Sequence, residues 1–293
     1  RRRSSITGTF RGSTLCWCAF DEDGFMVVSG EPWMIPALSR IWEECFGDSP
    51  EYIRFFMERR FPTCQSFVWL EQGEPVGVAY LLPCMIGERQ AYYGYAIGVK
   101  PEFQRRGICA EILHCAEQFC ERKRAVFFVV PRSGVEKYYA NRGFCDAFYY
   151  NKRKIYPKGE SSEVLMVVEA VPAEYSLLRN EFFQGTAYVR WDAEAVKYAL
   201  EEQRFCGGFA HILLWQGRRY LLFGDRREKE IYLRETTLPI TLISQLSANL
   251  CDFYRVDEIT VEYPAFSYKK RRLRGCCWNF RLYNSGWLGL DLT

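Results

Sequence analysis

At 293 residues, with 22 Phe, 19 Tyr and 8 Trp, the chain is long enough for two domains and too rich in aromatics to be disordered. A formal net charge of +3, from 39 Lys+Arg against 36 Asp+Glu, is far from that of a nucleic-acid polyelectrolyte, so no nucleic-acid partner is expected. No run approaches the roughly 18 apolar residues of a membrane span, so no membrane partner is expected either.

Residues 1–25 look foreign to the fold, and Arg1–Phe10 is Arg- and Ser-rich with no helical or strand period. They superficially resemble an organellar transit peptide, but we read them as an extension outside the fold, which starts at Met26 with the strand Met26-Val-Val. Pro32 opens a helix whose apolar stripe is Ile35, Leu38, Ile41, Trp42, Cys45 and Phe46. Asp48-Ser-Pro-Glu51 signals a second helix start, with Glu51 placed for a capping box, and that helix carries Ile53, Phe56 and Met57. Ser66–Glu71 and Pro75–Cys84 read as a hairpin across Gln72-Gly73-Glu74.

The next stretch is the most informative. A strand, Tyr92-Tyr-Gly-Tyr-Ala-Ile-Gly-Val99, runs through Lys100-Pro-Glu-Phe103 into Gln104-Arg-Arg-Gly-Ile-Cys109 and a helix burying Ile108, Ile112, Leu113, Ala116 and Phe119. Such a turn offers free backbone N–H groups, the positive end of a helix dipole and two arginines at one point. Gly107 leaves room for the backbone to approach an anion. That is the chemistry of a diphosphate site. A buried-looking strand, Ala125–Val130, and then Tyr139-Ala-Asn-Arg-Gly143-Phe144 follow.

The order of strand, Gln-Arg-Arg-Gly-Ile turn, helix, apolar strand and Tyr-x-x-x-Gly-Phe resembles the GNAT superfamily of acyl-CoA-dependent N-acyltransferases, over about residues 26–156. Val99-Lys-Pro-Glu-Phe-Gln-Arg-Arg-Gly is most similar to the branch of the bacterial enhanced-intracellular-survival acetyltransferases. Cys109 departs from the family's Gly or Ala. The resemblance implies an α/β mixed sheet and acetyl-CoA as acyl donor, with an amine of a small molecule or peptide as acceptor. It implies that backbone groups of Ile97 and Val99 hold the pantetheine and that the Val99 N–H faces the thioester oxygen. By the same resemblance, Gln104, Arg105, Arg106, Gly107, Ile108 and Cys109 hold the diphosphate. Tyr139 is implied as general acid, with Tyr138 as its rival. Glu88, Glu136 and Asp146 are in sequence reach as bases, a water relay is equally open, and the C-terminal carboxylate that the enhanced-survival enzymes use, here on Thr293, is not carried over.

Asn151–Ser162 is a polar stretch that marks a junction, giving expected domains of 26–158 and 159–293. Beyond it, Val171–Phe183 and Asp192–Gln203 read as helices, and Gly208–Trp215 with Arg219–Phe223 as a hairpin. Glu230–Thr236 reads as a strand, Pro239–Phe253 as one helix and Glu258–Tyr263 as a strand. Cys276–Tyr283 and Trp287–Leu292 are the expected closing strands. This repeats the first element order, so a second, degenerate GNAT-like domain is expected. Its turn, Arg234-Glu-Thr-Thr-Leu-Pro239, lacks the glycine and paired arginines, and Glu235 would repel a diphosphate. A cover for the substrate cleft and a homo-oligomer surface are the roles open to it. Lys269-Lys-Arg-Arg-Leu-Arg274 reads as a solvated loop.

Many of the 13 cysteines, Cys45, Cys115, Cys120 and Cys251 among them, sit in apolar patterns, and only two histidines and no paired Cys-x-x-Cys elements accompany them. They read as small buried hydrophobes of a reducing, cytoplasmic environment, with no metal. Two other function classes stay open: a non-catalytic CoA-sensing or scaffold protein, and an acyl or aminoacyl transferase using another donor.

Overall fold

The computed structural model describes residues 9–10, 13–14, 26–161, 164–265, 272–278, 280 and 287–289. The chain divides into two compact units, Arg1–Cys145 with Cys276–Phe280, and Asp146–Gly275 with Arg281–Thr293. After a short pair, β1 (Thr9–Phe10) and β2 (Ser13–Thr14), the first unit runs β3 (Met26–Val28), α1 (Ile35–Phe46), α2 (Pro50–Arg59), β4 (Gln65–Glu71) and β5 (Glu74–Ile86). It continues with β6 (Arg89–Val99), α3 (Ile108–Arg122), β7 (Val126–Val129) and α4 (Glu136–Ala140). Strand order is β3-β4-β5-β6-β7, antiparallel except for the parallel β6/β7 pair.

Local chemistry explains these boundaries. Gly47 ends α1 in the left-handed conformation at φ 74°, its N–H bonded to the Glu43 carbonyl. Ser49, and not Asp48, caps α2 by accepting the Tyr52 N–H, with Pro50 in the first turn. Asp48 instead accepts the Trp42 indole N–H at 2.7 Å. One face of the sheet carries α3, whose Ile108, Ile112, Leu113, Ala116 and Phe119 are buried with Phe67, Ala79, Leu81, Val99 and Phe127. Each fully buried side chain of this kind contributes about 1.5–3 kcal/mol. Helices α1 and α2 bury Leu38, Ile41, Trp42, Ile53, Phe56 and Met57, and the rings of Trp42, Phe56 and Tyr80 lie 4.7–5.7 Å apart.

The second unit holds most of β8 (Phe144–Ile155), then β9 (Met166–Glu169), α5 (Pro172–Phe183), β10 (Val189–Arg190), α6 (Ala193–Phe205), β11 (Phe209–Trp215) and β12 (Arg218–Arg226). It continues with β13 (Glu230–Thr236), α7 (Ile240–Gln245), α8 (Ser247–Tyr254) and β14 (Glu258–Pro264). Its strand order is β9-β11-β12-β13-β14-β8, and again only the β13/β14 pair is parallel. Both units therefore run strand, two helices, three-strand meander, helix, parallel strand. The repeat extends to a bulge. In the first unit Ala96 and Ile97 stand opposite Ala79 alone, and in the second Arg234 is the extra residue between Leu233 and Glu235.

One further pairing in each unit joins strands distant in sequence. β15 (Arg272–Trp278) pairs with β7 through Cys276↔Val129, Cys277↔Phe128 and Trp278↔Phe127. β8 pairs with β14 from Tyr150↔Pro264 to Ile155↔Ile259. The polar stretch at 151–162 is thus strand as far as Ile155.

Two other expectations change. The helix expected over Pro239–Phe253 is broken into α7 and α8 at Leu246, whose backbone (φ −90°, ψ 12°) leaves the helical well. Arg272–Arg274 of the basic run lie in β15 and not in a loop, and Arg274 bonds Glu262. Lys269–Arg271, most of 281–293 beyond Trp287–Gly289, and all of 1–25 except the β1/β2 residues lie outside the described residues. No described helix is long and apolar enough to cross a membrane.

His211 of β11 gives the second unit a titrating contact. Its Nδ1 is 2.8 Å from the Tyr254 hydroxyl and its Nε2 3.1 Å from Glu169 Oε1. Burial pushes the imidazole pKa down, partly opposed by Glu169. A folded-state pKa below the unfolded value means that the unfolded chain takes up the extra proton. The stability is complete above the unfolded value near pH 6.5 and is lost as pH falls through the folded pKa. Urea unfolding is expected to show lower stability at pH 5 than at pH 7.5, with a smaller difference in His211→Gln; equal differences would contradict the account.

Candidate active site

The site grows from the place where β6 outlasts its parallel partner. The β6/β7 ladder ends at Gly94↔Val129, while β6 goes on to Val99 along β5. Within this extension Ala96 has φ +44°, which turns the strand at the bulge. Ile97 is half-buried and Val99 is buried. The Val99 carbonyl accepts the Gln104 side-chain N–H at 2.9 Å and the Cys45 thiol at 3.3 Å. Space is tight at Gly98, where a Cβ would stand 3.0 Å from the Cys45 sulfur. Burial pushes the Cys45 thiol pKa up, with the Val99 bond opposing it.

Beyond Pro101–Phe103, a single 3-10 turn, the chain passes through two left-handed residues, Arg105 at φ +62° and Gly107 at φ +85°. Among the described residues, no backbone acceptor meets the N–H groups of Arg105, Arg106 or Gly107. Ile108 and Cys109 follow as the first helical residues, whose N–H groups have no intrahelical partner. Five consecutive donors at the start of a 15-residue helix are a backbone arrangement able to receive an anion. Residues 104–107 are exposed, and the space where a Gly107 Cβ would stand is open. The Gln104 backbone N–H bonds the Pro101 carbonyl and its amide braces Val99. Arg106 ion-pairs with Glu71 at 3.2 Å and lies over the Phe103 ring.

Tyr139 lies on α4, packed with Cys109 on the same core and edge-on to Phe144 at 5.2 Å. Burial raises the pKa of its hydroxyl, and the neighbouring Cys109 raises it further. Tyr138 is more exposed and hydrogen-bonds Cys109. Cys109 itself is pushed up by burial, opposed by that bond and by Arg142. The turn, Cys109 and both tyrosines therefore belong to one constellation.

The candidate bases do not join it equally. Glu88 lies in the β5/β6 hairpin turn, at the opposite end of β6 from Val99, roughly 30 Å away at strand rise. It is too far to act there. Glu136 accepts the Gly134 N–H and Asp146 accepts the Tyr149 hydroxyl. Thr293 lies outside the described residues. Sequence reasoning missed the Ala96 bulge, Cys45 and Arg142. Only Arg142, inside the Tyr-x-x-x-Gly-Phe motif, carried a signal that could have drawn attention.

The second unit's turn corrects the charge argument. Glu235 does not face an incoming anion, for it is fully buried and accepts from Arg179 Nε at 2.9 Å, the Tyr175 hydroxyl at 2.8 Å and the Trp287 indole at 2.9 Å. The Leu238 N–H is taken by the Thr236 hydroxyl, and no left-handed glycine is present in 234–239. The turn is closed by its own side chains.

A mixed sheet in which one strand runs on past its parallel partner beside a bulge, with a donor-lined turn leading into the next helix, fits the GNAT acyltransferase fold. Residues 34–144, which lie within the first unit, match the family model described as acetyltransferase (GNAT) family. No curated protein matches the sequence. Among solved structures, a conserved protein of unknown function from Enterococcus faecalis V583, a probable N-acyltransferase, is similar with a TM-score of 0.67 at 12% identity, over 87% of this chain and 71% of its own. Eis1 from Mycobacterium abscessus gives a TM-score of 0.60 at 12% identity, over 87% and 73%. A tandem GNAT protein from the clavulanic acid biosynthesis pathway gives 0.54 at 11% identity, over 86% and 98%. At these identities the likeness is one of fold, and it extends over both units.

Proposed function

We propose that the protein is an N-acetyltransferase that moves an acetyl group from acetyl-CoA to a primary amine of a small molecule or peptide, by direct attack in a ternary complex. The observation that carries this reading is the continuity of the parted strand β6 with the donor-lined turn at Arg105–Cys109. Pantetheine would extend β6 through backbone groups of Ile97 and Val99, and the diphosphate would take the N–H groups from Arg105 to Cys109. Charge-assisted hydrogen bonds contribute about 1.5–3 kcal/mol each, so a few support micromolar binding. In this reading the Val99 N–H would face the thioester oxygen and meet the charge that develops there.

Tyr139 is assigned as the general acid for the departing thiolate. A phenol with a raised pKa remains protonated at neutral pH, which the role requires. We assign domain bounds of 26–158 and 159–293 to the two GNAT-like copies in sequence, with the second binding no CoA. Cytoplasmic residence is supported by described cysteines that are free thiols, many of them buried.

Calorimetric titration of acetyl-CoA into the protein, followed by a mass-spectrometric screen of amines, tests the proposal. Micromolar binding and an acetylated product are expected, and no binding would overturn it. Tyr139→Phe is expected to keep the binding and lower turnover by about 10²–10⁴-fold. Unchanged turnover would remove Tyr139 from the role.

A further inference from the structure

Helix α4, which carries both tyrosines, has five residues and no side-chain cap. A helix this short does not hold itself together in water, and Ser133 through Tyr138 are exposed. Something outside it must set where its tyrosines stand. One tether is the contact of Tyr139 with Phe144. A stronger one, beside the Tyr138–Cys109 bond, is Arg142, just past the helix, whose guanidinium forks onto Glu117 of α3. Its Nε and Nη2 lie 3.2 and 2.9 Å from Oε1, and Nη2 lies 3.1 Å from Oε2.

Glu117 is out of place by sequence pattern alone. It is 6% exposed, beside buried Cys115, Ala116 and Phe119 on the helix that begins at the cofactor turn. Burying a carboxylate there is costly unless a partner meets it. The partner that meets it comes from the tyrosine segment, and the planar fork fixes direction as well as distance. Burial pushes the Glu117 pKa up while Arg142 draws it down. His114 is a weaker third member, 3.9 Å from Glu117.

We infer that the Glu117–Arg142 pair is a clasp that positions Tyr139 over the start of α3, with Arg142 and Glu117 as positioning residues and not catalytic ones. The pair couples the helix that receives the cofactor to the segment that supplies the proton. Its consequence for turnover rests on the general-acid reading of Tyr139. The placement itself does not.

The test puts 3-fluorotyrosine at position 139 of the full chain and follows its fluorine resonance. Arg142→Ala and Glu117→Gln are expected to shift or broaden the signal alike, and the double variant to go no further than either single one, because both remove the same contact. Arg142→Lys, which keeps the charge but not the fork, is expected to recover only part of the native signal. An unchanged resonance in the single variants, or changes that add in the double one, would overturn the clasp. Turnover is read in parallel with acetyl-CoA and spermidine, tryptamine or a lysine tripeptide as probe amines. The clasp predicts kcat lower by about tenfold or more with KM for acetyl-CoA within about twofold. A moved resonance with unchanged kcat would uphold the clasp and overturn the general-acid role of Tyr139. If no probe amine is turned over by the intact protein, the fluorine signal still decides the clasp.

Discussion

Gly107→Glu is expected to weaken acetyl-CoA binding by about 100-fold or more, the loss of two or more charge-assisted hydrogen bonds. Three effects act in one direction. Gly107 has φ +85°, where a side chain costs about 1–2 kcal/mol. The new carboxylate would stand in the open space that the anion needs, since nothing lies within 4 Å of a Cβ there. Its charge would repel the diphosphate. The same open space means that the free protein meets no clash, so the unfolding midpoint should drop only by the backbone strain. Gly107→Ala separates the effects, because it keeps the strain without the charge and is expected to fall between the two. Calorimetric titration of the three proteins, with thermal unfolding alongside, measures this. An unchanged Kd in Gly107→Glu would remove the turn from the cofactor site.

Arg179→Leu is expected to be the most destabilising single change in the second unit, by about 3–5 kcal/mol. Arg179 is 1% exposed and Glu235 0%. Arg179 also donates to the carbonyls of Val189 at 2.6 Å and Leu288 at 3.2 Å, so three acceptors lose their partner together. The residual Glu235 carboxylate would remain buried, with only the Tyr175 and Trp287 donors. Replacing both members, Arg179→Leu with Glu235→Leu, is expected to restore part of the stability, because the largest penalty is the unpaired charge and not the missing bond. Urea unfolding of the two variants and the parent gives the comparison. A loss below about 1 kcal/mol in Arg179→Leu would show that the pair is not a structural necessity.

The same pair marks how far sequence reasoning reached. The absence of a glycine and of paired arginines in Arg234–Pro239 was legible, and the turn is indeed unlike the first. The direction of Glu235 was not. A carboxylate beside a turn looks like a surface charge until the residues that bury it are known, and Arg179 and Trp287 are both more than 50 positions away. Arg142 was legible only as a letter inside a motif, since its partner lies on another element.

What the sequence by itself determined is therefore local in origin. The stripe of α3, the helix start at Asp48–Glu51, the donor-rich turn at Arg105–Gly107 and the matching element order of the two halves rest on contacts a few residues apart, which period and turn chemistry record directly. The tertiary structure alone decided the bulge at Ala96, the pairing of β15 with β7 and of β8 with β14, the inward turn of Glu235 and the fork of Arg142 onto Glu117. Each of these depends on which distant segments pair. A strand's own alternation says which face is buried but not which neighbour it meets, and the cost of bringing remote segments together is repaid only by contacts that the finished fold supplies.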